Sequence, residues 1–328
     1  MTASFVEQTR FLYRQGNPKE ALDLSERALL EPNSELSPGD RHELLILKSH
    51  SLNALGRWEE ALGALDCAGL ASDMDAADKA RLAMHRGYLM GSLARYAECW
   101  ILLHEAERAA REFGLPMVLA EVLWRRGMIS IFAGEFNGAE NCLCSALEIA
   151  SAEKNRQLQG LAIAGLAKNL MYRREYSRAV TRFEEALKIF EELGAPFYSA
   201  VVQGELGTCY LHLGETEKAL SLLERTAEIF LANGSLSNYQ VCLADIGGVY
   251  LRRGEFLTAI SYYQKALALA RQLGDQLSVA KWLRNLVQAY SHLGSPALAR
   301  GFEIEADQIN RGLDEERRRA ARIAASHG

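Results

Sequence analysis

The stretch LADIGGVYLRRGEFLTAISYYQKA, residues 243–266, decides the fold. Leu243, Ile246, Gly247 and Tyr250 recur three and four residues apart, which places them on one face of a helix. After Gly254 the same spacing resumes with Phe256, Ala259, Tyr263 and Ala266, so a second helix follows the first with only a tight reversal between them. Ala259 is small enough to let the second helix approach the first closely, and Phe256 can plug the gap beside the turn.

The turn signature of this stretch runs along the whole chain. It reads GNPKEA from Gly16, GRWEEA from Gly56, ARYAEC from Ala94, GEFNGA from Gly134, REYSRA from Arg174, GETEKA from Gly214, GEFLTA from Gly254 and GSPALA from Gly294, with successive steps of 40, 38, 40, 40, 40, 40 and 40 residues. Aromatic residues fill the third position at Trp58, Tyr96, Phe136, Tyr176 and Phe256, and the closing residue is Ala or Cys throughout. A second marker keeps the same beat: Gly114, Lys154-Asn155, Gly194, Gly234 and Gly274 each follow an apolar-periodic run and read as helix stops. Asn233-Gly234-Ser235 is therefore read as a helix-terminal turn and not as a glycosylation site. Each unit is two antiparallel helices, and a fixed period of this length is the mark of a stacked array.

These residues resemble the tetratricopeptide repeat. The unit from Leu243 to Ala266 follows that family's order of large, large, small, large, Gly, aromatic, Ala, aromatic, Ala, and Leu206, Gly207, Tyr210, Gly214, Ala219 and Leu223 come close to it. The period of 40 exceeds the family's commonest 34 and, with the ending from Ala266 to Asp275, is similar to the long-repeat subclass. The resemblance implies an all-α, right-handed α-solenoid of about eight antiparallel helix pairs. It also implies that the first helices line a concave groove that receives protein or peptide ligands.

The expected organisation is a first, capping repeat over 1–30, a breaker-rich linker over 31–40, seven further helix pairs over 41–310, and a charged helix or solvated tail over 311–328. Apolar residues make up 49% of the chain and prolines number only 6, which fits a folded helical protein. The net charge of −5 argues against nucleic acid as the main partner. No secretory signal or membrane-length apolar run is visible, and the six cysteines form no C-x-x-C pair, so a cytoplasmic setting is expected.

Nothing in the chain has the form of an enzymatic motif. His104-Glu105 continues as Ala106-Glu107-Arg108, leaving a zinc motif without its second ligand, and Cys142 and Cys144 point in different directions on one helix. The expectation is a non-enzymatic protein-protein interaction module, a scaffold, adaptor or regulatory sensor, without cofactor, metal or membrane partner. The alternative is a regulatory receptor whose curvature responds to a small signal or signalling peptide.

Aligning the units on their turn residue predicts the groove lining. The third unit offers Met84, His85 and Tyr88, after His50 in the second. The fourth offers Trp124, Arg125, Met128, Ile131 and Phe132, and the fifth Lys168, Met171 and Tyr172. Glu205 and Asp245 follow, and a second, polar patch of Lys281, Arg284, Asn285 and Gln288 falls in the last unit. An apolar middle with polar ends suits a peptide or helix whose anchors bury while its flanks set direction. Chaperone-clamping tetratricopeptide proteins use Lys and Asn on units before an Arg-bearing one, and only Arg284 and Asn285 match here. Arg86 and Arg126 fall where the pattern expects an apolar residue, so either their stems pack while the guanidinium reaches an acid, or the register of those helices shifts.

Overall fold

The computed structural model describes residues 4–31, 36–70 and 74–327, and among them sixteen helices and no strand. They run in chain order as α1 (Phe5–Arg14), α2 (Pro18–Leu30), α3 (Pro38–Ala54), α4 (Trp58–Ala68), α5 (Ala76–Ser92), α6 (Tyr96–Glu112), α7 (Pro116–Ala133) and α8 (Phe136–Ala152). The second half holds α9 (Arg156–Tyr172), α10 (Tyr176–Glu192), α11 (Pro196–Leu213), α12 (Thr216–Ala232), α13 (Leu236–Arg252), α14 (Phe256–Leu273), α15 (Gln276–His292) and α16 (Pro296–His327). Each odd helix packs against the even helix that follows, giving the eight antiparallel pairs.

The turn residues adopt the left-handed backbone that closes a helix with two reversed hydrogen bonds. At Gly134, φ is 82° while Gly134 N–H donates to Ile131 and Glu135 N–H donates to Ser130, at 3.1 and 2.9 Å. The same turn is made at Ala94, Lys154 and Arg174, where φ is 58°, 55° and 64° and no glycine relieves the strain. The Asn233-Gly234-Ser235 turn is of this kind, with Gly234 at φ 71° and Ser235 fully buried.

Close packing explains the small residues. Ala21, Ala61, Cys99, Ala139, Ala179, Ala219 and Ala259 are all 0% exposed. Across from them, a Cβ added at Gly127 would come 2.6 Å from Leu143 and one at Gly247 2.9 Å from Tyr263, so the first helix is notched where the second presses in. Arg86 and Arg126 keep the helical register: their guanidinium groups pair with Asp66 on α4 and Glu107 on α6, the preceding units' second helices.

Two expectations about the ends change. Residues 311–327 are no separate element, because α16 continues unbroken through them, with Leu313 5% exposed. This helix returns to the middle of the array, packs on α6, and donates from Arg317 to the Phe132 carbonyl at 3.2 Å. Leu313 is buried there and Ala320 and Ala324 are half-buried, which a solvated tail would not achieve. At the other end, part of the linker (32–35) lies outside the described residues, and α3 begins at Pro38 behind a reciprocal Ser37–Asp40 cap.

The array also closes on itself. The Gly16 turn sits against Phe197 at the start of α11, and the Gly56 turn against Leu273 at the end of α14. Ser235 Oγ–H donates to the Ala54 carbonyl at 3.0 Å across a separation of 181 residues.

Candidate groove site

Neighbouring odd helices meet one another (α1 with α3, α5 with α7, α7 with α9, α11 with α13), whereas α6 and α16 are the only even helices to meet substantially among the described residues. The side on which successive units crowd together is the inside of the curve. The odd helices therefore form the inner wall.

Along this wall a polar and aromatic chain crosses from helix to helix. Tyr13 on α1 lies beside His50 on α3, ring centres 5.7 Å apart, and His50 Nε2 is 3.0 Å from Nδ1 of His85 on α5. Arg125 on α7 donates from Nη2 to the same His85 Nδ1 at 3.3 Å. That donation makes His85 Nδ1 an acceptor, so His50 presents an Nε2–H to it. Burial and then the Arg125 charge push His50 down to about 3. Burial, then His50 and Arg125, with Arg81 further off, hold His85 well below its usual range. Both imidazoles are neutral at neutral pH. The Arg125 guanidinium lies over the faces of Tyr88 and Trp124, 4.7 and 5.3 Å from the ring centres, and Trp124 Nε1–H donates to the Leu161 carbonyl on α9 at 3.1 Å.

Past α7 the wall changes. Lys168 on α9 pairs with Glu205 on α11 at 2.5 Å and lies 5.6 Å from the Phe132 ring, which meets Tyr172 edge-on at 5.9 Å. Burial lowers the Lys168 pKa, and the Glu205 carboxylate more than offsets that, leaving it above the ordinary value. One unit on, Thr208 donates to Asp245, whose carboxyl is raised by burial against the opposing pull of Lys281. Lys281 lies 4.8 Å from the Trp282 ring, while Arg284 and Gln288 are exposed and Asn285 is half-buried.

The anticipated lining thus divides. His85, Tyr88, Trp124, Arg125, Met128, Phe132, Lys168 and Tyr172 remain on or beside the wall, with Tyr172 39% exposed. Met84, Ile131 and Met171 do not. They are 0%, 1% and 9% exposed and pack between helices, Met84 against Cys99 and Leu103, Ile131 against Ala139 and Leu143, and Met171 in the core around Phe183. Each stands about 100° round its helix from a wall residue, which is enough to turn it from the groove into the pair. Trp124 has a double role, since it also packs on Leu158 and Leu123 beneath the wall. Tyr13 and Tyr198 were missed: Tyr198 accepts from Gln157 at 3.2 Å, and both stand within electrostatic reach of Arg125 because the array closes.

The tetratricopeptide repeat family model matches residues 161–232 and 239–306. Those two segments carry tetratricopeptide repeats. Its solenoid is similar to a Rap protein complexed with competence and sporulation factor, at 14% identity and a TM-score of 0.66 over 95% of this chain and 98% of that one. It is similar also to NprR in complex with its cognate peptide NprX, at 14% identity and a TM-score of 0.64 over 93% and 82%. Aspartyl phosphate phosphatase F from Bacillus subtilis gives 14% and 0.54 over 94% and 96%. At such identities the likeness shows the fold alone. No curated protein matches the chain in sequence. Among the described residues no group of three His, Cys, Asp or Glu side chains is placed to hold a metal, and no helix is long and apolar enough to cross a membrane.

Proposed function

We propose that this tetratricopeptide array is a regulatory interaction module that binds a peptide segment in its groove. The observation that carries the reading is the inner wall itself, where Tyr88, Trp124, Phe132 and Tyr172 present rings beside the fixed polar pairs Lys168–Glu205 and Thr208–Asp245. Half-buried aromatic side chains are the usual anchors of a peptide, because they exclude water over a large area at little entropic cost. Fixed polar groups beside them select register and direction. Two proteins of the same fold form complexes, NprR with its cognate peptide and a Rap protein with competence and sporulation factor, which supports the choice of a peptide over a folded partner.

The test is to pan a displayed random-peptide library against the full chain and measure enriched peptides by fluorescence anisotropy. Enriched sequences should bind the parent and lose about tenfold or more in affinity with Tyr88→Ala and with Tyr172→Ala, both variants melting as the parent does. No enrichment over a blank surface, or equal binding to both variants, would overturn the reading.

A further inference from the structure

We propose that the Arg125 guanidinium seats a carboxylate of the groove's ligand. The inference rests on the reading of the inner wall as the ligand site, and it adds the chemistry that the ligand must bring.

Arg125 is charged, set into the wall, and without an acid. It forms no ion pair among the described residues, and its Nε is buried with no hydrogen-bond acceptor. Among the described residues its one hydrogen bond runs from Nη2 to the neutral His85. Glu121, one turn earlier on α7, acts instead on Tyr198 at electrostatic range. The contrast with Lys168 is direct, for that cation has Glu205 at 2.5 Å. A guanidinium set partly into the wall is screened less than one in open water, so an acid brought by a ligand would meet a cation that the fold has left unmatched.

The surroundings fix which partner fits. Tyr88 and Trp124 both lie within cation–π distance of the guanidinium, 4.7 and 5.3 Å from ring centre to its carbon, so rings and a neutral imidazole surround it and no acid does. A planar fork of N–H donors matches a carboxylate with two parallel hydrogen bonds. The groups that face Arg125 from the packed helices are His50 and His85, both neutral, and the hydroxyls of Tyr13 and Tyr198, which burial keeps protonated. They can donate hydrogen bonds; beyond them Arg81 acts on His85, and Arg14 and Glu121 on Tyr198, at electrostatic range.

The carboxylate could belong to a chain end or to an acidic side chain, and the probes separate the two. N-acetylphenylalanine carries the first and N-acetyl-aspartyl-phenylalaninamide the second. N-acetylphenylalaninamide and the asparaginyl counterpart are their uncharged controls, and inorganic phosphate is the anion control. Each is titrated into the full chain, observing the Arg125 Nε–H resonance and the melting temperature. At least one acid should shift that resonance saturably and bind about tenfold or more tightly than its amide. The preference should vanish in Arg125→Gln, which should fold as the parent does, since Arg125 holds no structural ion pair. Equal binding of acid and amide, retention of the preference in Arg125→Gln, or equal competition by phosphate would each overturn the inference. Success here with an empty peptide selection would sink the peptide reading alone. Enriched peptides with no need of a carboxylate would sink only this one.

Discussion

The inner wall from α3 to α7 and the inner wall from α9 to α13 are built on one repeat, yet they treat charge in opposite ways. In the later stretch charged and polar groups are matched across neighbouring helices, Lys168 with Glu205 and Asp245 with Thr208, 37 residues apart in each case. In the earlier stretch a guanidinium meets two neutral imidazoles and two aromatic faces. The matched half also carries the two largest cores, which run together from Ile163 to Ala306, and both family-model segments. The unmatched half is packed in smaller clusters. On the proposed reading the difference separates tasks: the later wall pairs its cation internally, and the earlier wall leaves one for a ligand.

Acid should affect the earlier stretch most. The unfolded chain protonates His50 and His85 near pH 6.5, while the folded state resists until about 3 for His50, so stability is present above 6.5 and is lost as pH falls. The ceiling is about 1.4 kcal/mol per pH unit for each histidine, reduced by partial solvent access at His50. Asp245 acts in the opposite sense, because its raised carboxyl regains stability on protonation. Chemical melts between pH 7 and 4 should therefore fall steeply for the parent and flatten in a His50→Gln, His85→Gln variant. An unchanged slope would show that the pair does not govern the acid response.

Glu205→Ala should be next in size. It strands Lys168, whose side chain is only 21% exposed, and should cost roughly 2–3 kcal/mol by denaturant titration, between the values for buried and for exposed pairs. A loss under 0.5 kcal/mol would mean that the later wall is not held by its pairs. A smaller, favourable effect belongs to the left-handed turns, where Ala94→Gly and Arg174→Gly should each stabilise by about 1 kcal/mol, in the earlier and later halves alike. A gain in one half only would show that the turns are not equivalent. Smallest of all, Arg125→Gln should leave stability within about 0.5 kcal/mol of the parent or raise it, since no ion pair is broken.

The fold was legible because turns, small residues and aromatic plugs repeat at a fixed period, and each such device is local. Even Ala94 and Arg174, lacking glycine, could be placed by their neighbours' beat. The inner-wall helices follow from the same period, though not every face of them does. Trp124, Met128 and Ile131 are four and three residues apart, a spacing that shares one helix face, but Ile131 lies four residues from Gly127, on the side that meets Leu143. A difference of one residue separates wall from core, and sequence alignment on a turn does not resolve it. Arg125 could be named from sequence, but its lack of an acid could not, because pairing on this wall spans about one repeat. Tyr13 and Tyr198 needed more still, since only the closure of the array brings α1 to α11.

That closure alters how the molecule should come apart. An open stack of repeats unravels from its tips, each terminal unit peeling away with little cost to the rest. Here the first two units are fastened to α11, α13 and α14, and the last helix to α6, so each tip is braced by the middle. Tension applied at the two termini would load these fastenings before any single repeat, and amide exchange in α2 and α15 should be slowed toward that of the centre. A polymer of nearly identical links thereby acquires the all-or-none mechanics of a buckled belt.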